Sequence, residues 1–321
     1  MPELPEVETI RRGLQTRIVG KTIADIDVRF PKTFIGDKLK VESYKVKSVE
    51  RRAKVLAICM NNSYNLLFHL KMTGQLIWHS PNEISKSEFL IPASPAGGSK
   101  QIPNPKTKNP NKFSNFAGGH PDHNWHANLP NNTTAVIFTF DDNSRLYFND
   151  LRKFGWCKVL TDEQLQKIFT EEYGPEPLDI SRGKPSEKFN VEYLMQQAAR
   201  FPNRKVKQFL MDQGIIAGIG NIYADESLFD AKISPLRKAK DITKTEWQKI
   251  MQSVKKILET AIKYGGTTDS DYVNVDGEKG GMQNHLKVYR KAGQKCPRCG
   301  GIIIRIVLGG RGTHYCPICQ Q

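Results

Sequence analysis

The sequence predicts an α+β protein of several domains: an N-terminal β sandwich or barrel with a leading helix, a helical domain, and a C-terminal zinc ribbon. Three observations predict this fold class. Short apolar or alternating runs fill much of the first half of the chain, longer amphipathic runs fill the second half, and two pairs of cysteines lie near the carboxyl end. A period of two residues favours strands, and a period near 3.6 favours helices.

The leading helix is predicted from the opening residues, MPELPEVETI. Val7, Ile10 and Leu14 recur at helical spacing. Proline is accepted in the first turn of a helix, and glutamates near its start interact favourably with the positive end of the helix dipole. We predict a helix that begins near Pro5 and ends near Gly20.

A β domain, residues 1–172, is predicted from the short runs that follow this helix. They are TIADIDVRF, YKVKSVERR, KVLAICM, YNLLFHL, GQLIWH, AVIFTF, SRLYF and FGWCKVL, separated by Asn, Gly, Asp and Pro. Strands in close succession indicate a sandwich or barrel and not βαβ units. Cys59 and Cys157 lie inside two of these runs and are predicted to be buried apolar residues without a chemical role.

Residues 80–132 interrupt the strand pattern with a segment rich in Pro, Asn, Gly and Lys. A segment of this length without periodicity predicts an insertion that is mobile and unpacked. The spacing of its histidines, His120, His123 and His126, fits no common metal site, so we predict no metal there.

A second domain, residues 188–290, is predicted from helical patterns that follow a linker at about residues 172–188. Within it, Gly218 and Gly220 predict a tight turn, and Asn221 stands where the N-cap of the next helix is expected. Exposed backbone amides at such a helix end form a site for a phosphate. The alternative is a plain helical hairpin.

A third domain, residues 291–321, carries the strongest single motif, two CxxC pairs whose spacing is typical of tetrahedral zinc. Its predicted ligands are Cys296, Cys299, Cys316 and Cys319. Four thiolates leave no position for water, so the predicted zinc ion is structural. Two disulfides are the alternative, which the absence of an export signal disfavours. Between the pairs, IIIRIVLGGRGTHY predicts a hairpin whose glycine-rich tip presents Arg311 to a phosphate.

The charge of the chain indicates nucleic acid as a partner. There are 48 Lys+Arg and 33 Asp+Glu, which give a formal net charge of +15. Such an excess attracts polyanions and places nucleic acid ahead of an anionic membrane surface; the alternative is that the charge serves only solubility. No apolar run reaches the roughly 18–20 residues that span a bilayer, and the first residues are acidic where a secretory signal is basic. We therefore predict a cytoplasmic protein that does not enter a membrane.

These motifs occur together, in this order, in one protein family. PELPEVETIRRGL, ERRAKVL, HLKMTGQL, NDLRKFG, GPEPL, LMDQGIIAGIGNIYADESLF, GGTT and the four-cysteine ribbon resemble bacterial formamidopyrimidine-DNA glycosylase, of the Fpg/Nei family. The resemblance covers nearly the whole chain except residues 80–132. It implies a helix-two-turn-helix domain in the middle of the chain and one structural zinc ion in the ribbon.

The resemblance also implies a function. The expected enzyme is a bifunctional DNA glycosylase and AP lyase of base excision repair that removes oxidised purines, chiefly 8-oxoguanine opposite cytosine and formamidopyrimidines, from double-stranded DNA. PELPE in place of PEGPE favours this over the related endonuclease VIII branch, which acts on oxidised pyrimidines. A non-catalytic damage sensor with the same DNA-binding domains is the alternative from another class. Family habit predicts a monomer, bound to the bacterial nucleoid through DNA.

The resemblance implies four catalytic residues. Removal of Met1 leaves Pro2 as a secondary amine that attacks C1′ of the damaged nucleotide and forms an iminium ion. An α-amino group titrates near about 7.7–8.0, against about 10.4 for lysine, so much more of it is uncharged at neutral pH. Glu3 is the implied general acid, which needs partial burial to keep its proton. Lys54 and Arg311 bind phosphate and assist elimination.

Three further residues are implied to fill the base stack after the nucleotide is everted. They are Met72, Arg152 and Phe154, here called the wedge residues. A flexible thioether, a planar cation for the orphaned base and an aromatic ring suit this role.

Phosphate contacts beside the lesion are implied for His69, Lys207 and Asn221. The loop 274–284 corresponds to a flexible segment that closes over the everted base. The sequence departs from the family pattern at Thr133, where a histidine is expected, and at Lys71, where a small residue is common; DLRKFG also replaces DPRRFG. The first departure removes one expected phosphate contact and leaves the amine chemistry unaffected.

Overall fold

The structure is a computed structural model that describes residues 1–82, 129–179, 184–268 and 272–321. Most of the predicted insertion, including its three histidines, lies outside the described residues. Within them, no helix combines the length and apolar character that crossing a bilayer requires.

The leading helix, α1, runs from Leu4 to Ile18. Its predicted apolar face is fully buried, since Val7, Ile10 and Leu14 are each at most 1% exposed. The helix ends before Gly20, whose φ of 88° is left-handed and therefore favours glycine. The chain turns at this glycine into the first strand.

Two sheets form the N-terminal domain. The strands are β1 Ile23–Val28, β2 Phe34–Ile35, β3 Val46–Arg52, β4 Val55–Met60, β5 Tyr64–His69, β6 Gly74–His79, β7 Thr134–Phe140, β8 Arg145–Asp150 and β9 Trp156–Thr161. One sheet has the order β1-β7-β8-β6 and the other β2-β9-β5-β4-β3. Neighbours pair antiparallel except β2 and β9, which pair parallel. Two separate sheets make this a sandwich and not a barrel.

Aromatic rings fill the space between the sheets. Phe68 packs edge-on against Phe138 and Phe148, with ring centroids 5.8 and 5.6 Å apart. Such pairs add about 0.5–1.5 kcal/mol beyond the area they bury. Cys157 is fully buried and Cys59 is 8% exposed, and burial raises the pKa of the Cys59 thiol to about 12. Both cysteines are therefore the inert apolar residues that the sequence predicts.

A helix that the sequence analysis did not identify follows β9. It is α2, Asp162–Glu171, which begins with a capping box between Thr161 and Gln164. Further along, Leu178–Asp179 and Lys184–Pro185 pair as the short strands β10 and β11, inside the segment predicted as a linker.

The helical domain contains α3 Val191–Arg200, α4 Val206–Met211, α5 Asn221–Ala231 and α6 Lys244–Lys263. Its core is separate from that of the sandwich and is centred on Phe209 and Trp247, whose rings lie 5.1 Å apart. The C-terminal ribbon is the hairpin β12 Ile304–Leu308 and β13 Arg311–Tyr315.

The segment 274–284, predicted to be a flexible loop that closes over the everted base, packs against the N-terminal domain at its start. Val275 is 1% exposed and belongs to the sandwich core. Its carbonyl oxygen accepts a hydrogen bond of 2.9 Å from the amide of Trp78, and Asp276 forms an ion pair of 2.6 Å with Arg17 on α1. Apolar burial at one residue thus attaches this part of the segment to the N-terminal domain.

Candidate active site

The carboxylate of Glu3 joins the start of α1 to the start of α5. It accepts hydrogen bonds from the backbone amides of Gly220 at 2.7 Å, Ile222 at 2.9 Å and Tyr223 at 3.4 Å. The free amides of a helix N-terminus attract an anion. The phosphate site predicted at this helix end is therefore occupied by a side chain of the protein itself.

Two glycines permit this close approach. The amide of Leu4 donates to the carbonyl oxygen of Gly218 at 3.0 Å, and Gly218 has a φ of 94°. A Cβ atom on Gly220 would lie 2.6 Å from Oε1 of Glu3, which real Cβ atoms do not tolerate. The predicted tight turn thus lets α1 contact the helical domain.

Burial controls the acidity of Glu3. The residue is 2% exposed, and burial, opposed by the charge of Lys54 and reinforced by that of Glu6, raises the pKa of Glu3 to about 7. A carboxyl with such a pKa keeps its proton for a large part of the time at neutral pH. It can act as a general acid.

Glu6 fixes the backbone next to Pro2. Its carboxylate accepts from the amide of Glu3 at 2.8 Å, from the amide of Thr267 at 2.7 Å and from the hydroxyl of Tyr223. Burial raises the pKa of Glu6. Pro2 itself is buried, whereas Met1 is exposed. Pro2 therefore lies at the boundary between the protein interior and solvent.

Lys54 lies in the same cluster. It is 7% exposed, and its ammonium donates to the carbonyl oxygen of Ile219 at 2.7 Å, in the turn that contacts Glu3. Burial lowers the pKa of Lys54, which the charges of Glu3 and Glu6 oppose. A lysine of lowered pKa can exchange protons near neutral pH more readily than an exposed one.

Arg311 is exposed at the tip of the ribbon hairpin. The preceding Gly309 and Gly310 have φ of 57° and 74°, which a two-residue type I′ turn requires. The charge of Arg311 contributes to lowering the pKa of Lys54. The fold therefore brings the ribbon tip close to the amino terminus.

Lys207 lies inside the protein, which corrects the expectation of a direct phosphate contact. Its side chain is 1% exposed and its ammonium is 2.7 Å from Oδ1 of Asp225. It also donates to the carbonyl oxygen of Gly312 at 3.0 Å and to the hydroxyl of Thr313 at 2.8 Å. A cation with these three partners connects the helical domain to the ribbon and is not available to DNA in this arrangement.

Asn221 is the first residue of α5 and not its N-cap, which is Gly220. Since Glu3 satisfies the first amides, the helix needs no capping side chain at the predicted position. Oδ1 of Asn221 is buried and has no hydrogen-bond partner among the described residues. An unsatisfied buried oxygen at this position indicates a polar side chain retained for a reason other than capping.

The wedge residues lie on two turns held together by Asp150. Its carboxylate accepts from the hydroxyl of Thr73 at 2.5 Å, next to Met72, and from the amides of Arg152 at 3.2 Å and Gly155 at 2.6 Å. Sequence reasoning missed Asp150, although its place at the end of β8, directly before the wedge turn, was a usable signal.

The exposed ends of the wedge lie side by side. Phe154 is 57% exposed, and the guanidinium of Arg152 lies 4.9 Å from the centre of its ring. Met72 is only half-buried.

His69 is a neutral donor at the end of β5. Burial, with the charges of Lys71 and Lys54, lowers the pKa of His69 to about 3. Its Nδ1 accepts the amide hydrogen of Lys71 at 3.0 Å. The ring proton therefore lies on Nε2, which can donate to an anionic oxygen.

Thr133 does not replace the expected histidine as a donor to DNA. It is 5% exposed, and its hydroxyl donates to Oδ1 of Asn131 at 2.7 Å. Its carbonyl oxygen accepts from the amide of Asp150 at 2.9 Å. Thr133 therefore supports the wedge turn.

The ribbon cysteines have the geometry of a metal site. Sγ of Cys296 lies 3.8 Å from Sγ of Cys319, and Sγ of Cys299 lies 3.6 Å from Sγ of Cys316. All four sulfurs are within 4.8 Å of one another. These separations exceed an S–S bond of about 2.05 Å and suit four thiolates about 2.3 Å from one zinc ion. The fit supports a structural zinc ion and not two disulfides.

The sequence matches three known domains in the predicted order. Residues 1–157 match the formamidopyrimidine-DNA glycosylase N-terminal domain, residues 173–273 match the formamidopyrimidine-DNA glycosylase H2TH domain, and residues 293–321 match a zinc finger found in FPG and IleRS.

Whole-chain relatives agree with these matches. Formamidopyrimidine-DNA glycosylase from Bacillus cereus is 34% identical over 100% of this chain and 99% of its own, and that from Desulfitobacterium hafniense is 34% identical over all of both chains. The structure of Lactococcus lactis Fpg with DNA containing an abasic site superposes with a TM-score of 0.77 at 30% identity, covering 99% of both chains. A MutM complex with DNA containing carbocyclic 8-oxo-G superposes with a TM-score of 0.76 at 30% identity, covering all of both chains.

Proposed function

The chain belongs to the formamidopyrimidine-DNA glycosylase family, and we propose that it works through the imino nitrogen of Pro2 after removal of Met1. It is a base-excision repair glycosylase with AP lyase activity that acts on oxidised purines in DNA. The observation that carries the proposal is the position of Glu3. A carboxyl with a pKa near 7 lies one residue from Pro2, held by amides of a different domain.

The first step replaces the bond between the base and the sugar. The nitrogen of Pro2 attacks C1′, the bond from C1′ to the base breaks, and the base leaves with the electron pair and takes up the proton that the Pro2 nitrogen releases. Glu3 gives its proton to the ring oxygen, and the sugar opens to an iminium ion on Pro2. The rigid attachment of Glu3 to α5 supports this role because it fixes the acid beside the nucleophile.

The later steps break the DNA strand. The iminium ion acidifies C2′, so loss of the C2′ proton expels the 3′ phosphate, and a second elimination expels the 5′ phosphate. Lys54, of lowered pKa, assists proton transfer and Arg311 binds phosphate during elimination. Their convergence on the amino terminus supports both roles.

DNA lies, in this proposal, across the face that presents the wedge residues. Phe154, Arg152 and Met72 fill the gap left by the everted nucleotide. His69 and Asn221 bind phosphates beside it. Lys207 positions the ribbon through Asp225 and has no contact of its own.

In this proposal, each predicted domain supplies a different part of the functional site. Residues 1–172 supply the nucleophile and the wedge, residues 188–290 supply the helix-two-turn-helix surface, and residues 291–321 supply Arg311. The enzyme works as a cytoplasmic monomer on nucleoid DNA, supported by the net charge of +15. Light scattering at increasing protein concentration tests this oligomeric state, and the mass of a monomer is expected throughout.

Borohydride trapping tests the nucleophile. The wild-type protein, incubated with duplex DNA containing an abasic site, should form a covalent adduct, and mass spectrometry should place it on Pro2. Pro2→Gly should lose most of the adduct, because a primary amine in a more flexible terminus replaces the fixed imino nitrogen. Pro5→Ala, a proline variant in the same turn, should keep it. Absence of an adduct with the wild type would support a non-catalytic DNA binder instead.

A further inference from the structure

Lys71 has a backbone conformation that disfavours lysine. It lies in the turn between β5 and β6 with a φ of 52°. In the left-handed region a side chain costs roughly 1–2 kcal/mol relative to the ordinary helical conformation. Glycine adopts this conformation without that penalty, and asparagine with less of it.

The turn cannot relax without breaking other contacts. The amide of Gly74 donates to the carbonyl oxygen of Leu70 at 2.9 Å, and the amide of Lys71 donates to His69 at 3.0 Å. The hydroxyl of Thr73 is bound to Asp150 at 2.5 Å. The strain therefore persists for as long as this turn carries Met72.

The ammonium of Lys71 has no stabilising contact with any residue that the structure describes. In the part of the chain that the structure describes, it forms no hydrogen bond or ion pair, although its side chain is half-buried. Lys54 and Lys207, by contrast, are bound to carbonyl or carboxylate oxygens. Folding thus gives no reason for a lysine at this position.

The location of Lys71 indicates what it binds. It lies between His69, whose pKa its charge helps to lower, and the wedge residue Met72. An unpartnered cation beside a neutral N–H donor is suited to an anionic oxygen that enters from outside. Because lysine acts as a point charge and not as a planar fork, a phosphate fits better than a base edge.

We propose that Lys71 binds a backbone phosphate beside the everted nucleotide, and that this contact is why lysine is kept in a strained turn. The inference rests on the proposed function, since it requires DNA on this face. It adds a DNA contact at a position where the family pattern has a small residue.

Salt-dependent DNA binding tests the contact. Lys71→Gly and Lys71→Asn should bind a duplex with a tetrahydrofuran abasic analogue about 3- to 10-fold more weakly at 0.1 M salt, with a slope of log K against log salt reduced by about 0.9. Lys71→Arg should keep most of the DNA affinity and most of the salt dependence. Lys167→Gln, which removes an exposed charge from α2, should leave the slope unchanged.

Thermal unfolding of the same variants tests the strain. Lys71→Gly and Lys71→Asn should unfold at the wild-type temperature or a few degrees above it. An unchanged salt slope, an equal effect in Lys167→Gln, or a lower melting temperature in both Lys71→Gly and Lys71→Asn would overturn the inference. Failure of the proposed function is distinct, because it appears as a missing borohydride adduct in the wild-type protein.

Discussion

The amino-terminal site and the zinc ribbon are held in place in different ways. The ribbon brings together cysteines that are neighbours in the sequence, around a small core that includes Phe229, Val288 and Ile303. The amino-terminal site joins Glu3 to Gly220, residues 217 positions apart, and depends on two separate cores. A local site is specified by spacing, whereas a site assembled from distant residues is specified by packing.

Substitutions in the two regions should therefore have different effects on folding and catalysis. The ribbon has too little apolar surface to fold without its metal, so the whole ribbon should unfold when the metal is removed. The amino-terminal site should lose catalysis through small displacements while the protein stays folded, since the geometry of a catalytic group matters within about an ångström.

The largest effect is expected from breaking the metal site. Cys316→Ser should lose zinc, unfold the ribbon and weaken binding to damaged duplex DNA by about 100-fold or more, since one charge-assisted contact alone is worth about 1.5–3 kcal/mol. A zinc assay, circular dichroism and binding titrations measure this. Cys59→Ser, at a buried cysteine outside the ribbon, should keep zinc. A Cys316→Ser protein with full metal content and affinity would contradict the assignment.

Glu3→Gln should give the next largest effect. Removing the general acid should slow base release by about 10²- to 10⁴-fold, measured under single-turnover conditions with an 8-oxoguanine duplex. The exposed variant Glu163→Gln should be unaffected. In the wild type, base release should follow a bell-shaped pH profile: it should fall at high pH, where Glu3, whose pKa is about 7, has lost its proton, and at low pH, where the Pro2 amine is protonated.

The same residue links stability to pH, with a sign fixed by its raised pKa. Between about pH 4.3, where Glu ionises in an unfolded chain, and about pH 7, the folded protein retains a proton that the unfolded chain has lost. The contribution of Glu3 to stability therefore decreases as pH rises through this window. The melting temperature of Glu3→Gln relative to wild type should rise from pH 4.5 to 7.5. A constant difference would show that Glu3 is not buried as described.

Gly220→Ala tests the contact between the domains with a smaller change. The new Cβ would displace the Glu3 carboxylate, so catalysis should fall by about 10- to 100-fold, as for a misplacement of about 1 Å. DNA affinity should change much less. Gly214→Ala, in the same loop, should be close to wild type, because its new Cβ would meet only Oδ1 of Asp212 at 3.3 Å, the end of a partly exposed side chain that can shift. Equal rates for the two variants would mean that Glu3 does not need this position.

Phe154→Ala should give the smallest effect. Stacking of an aromatic ring on a base is worth about 1–3 kcal/mol, so affinity for an abasic duplex should fall by about 10-fold. The melting temperature should not change, because the ring is already 57% exposed. Leu39→Ala, at another exposed apolar residue, should affect neither measurement. A loss of stability in Phe154→Ala would show that the ring is a packing residue.

Sequence reasoning predicted the local features of the molecule. The leading helix, the strands, the zinc ligands and the buried Cys59 and Cys157 each depend on neighbours within a few residues or on a simple period. The helix α2 was missed even though its capping box was visible in the sequence. Its short apolar pattern is weak beside the strands around it.

Two expectations failed for one physical reason. Lys207 was assigned to a phosphate and Asn221 to the N-cap of α5 from their positions in motifs, but each has a competing group inside the protein. Asp225 binds Lys207, and Glu3 takes the amides that Asn221 was expected to cap. A motif does not reveal such competition because the partners are far away in the sequence.

By itself the sequence determined the fold class and the metal site, because hydrophobic period and ligand spacing are local, and it indicated the family through motifs that resemble that family. Only the tertiary structure decided the protonation state of Glu3, the acid beside Pro2. Burial between two domains raises the pKa of Glu3 to about 7, and burial is a property of how distant segments pack. The same packing leaves Lys71 as a strained cation without a partner among the described residues, which no single stretch of sequence could show.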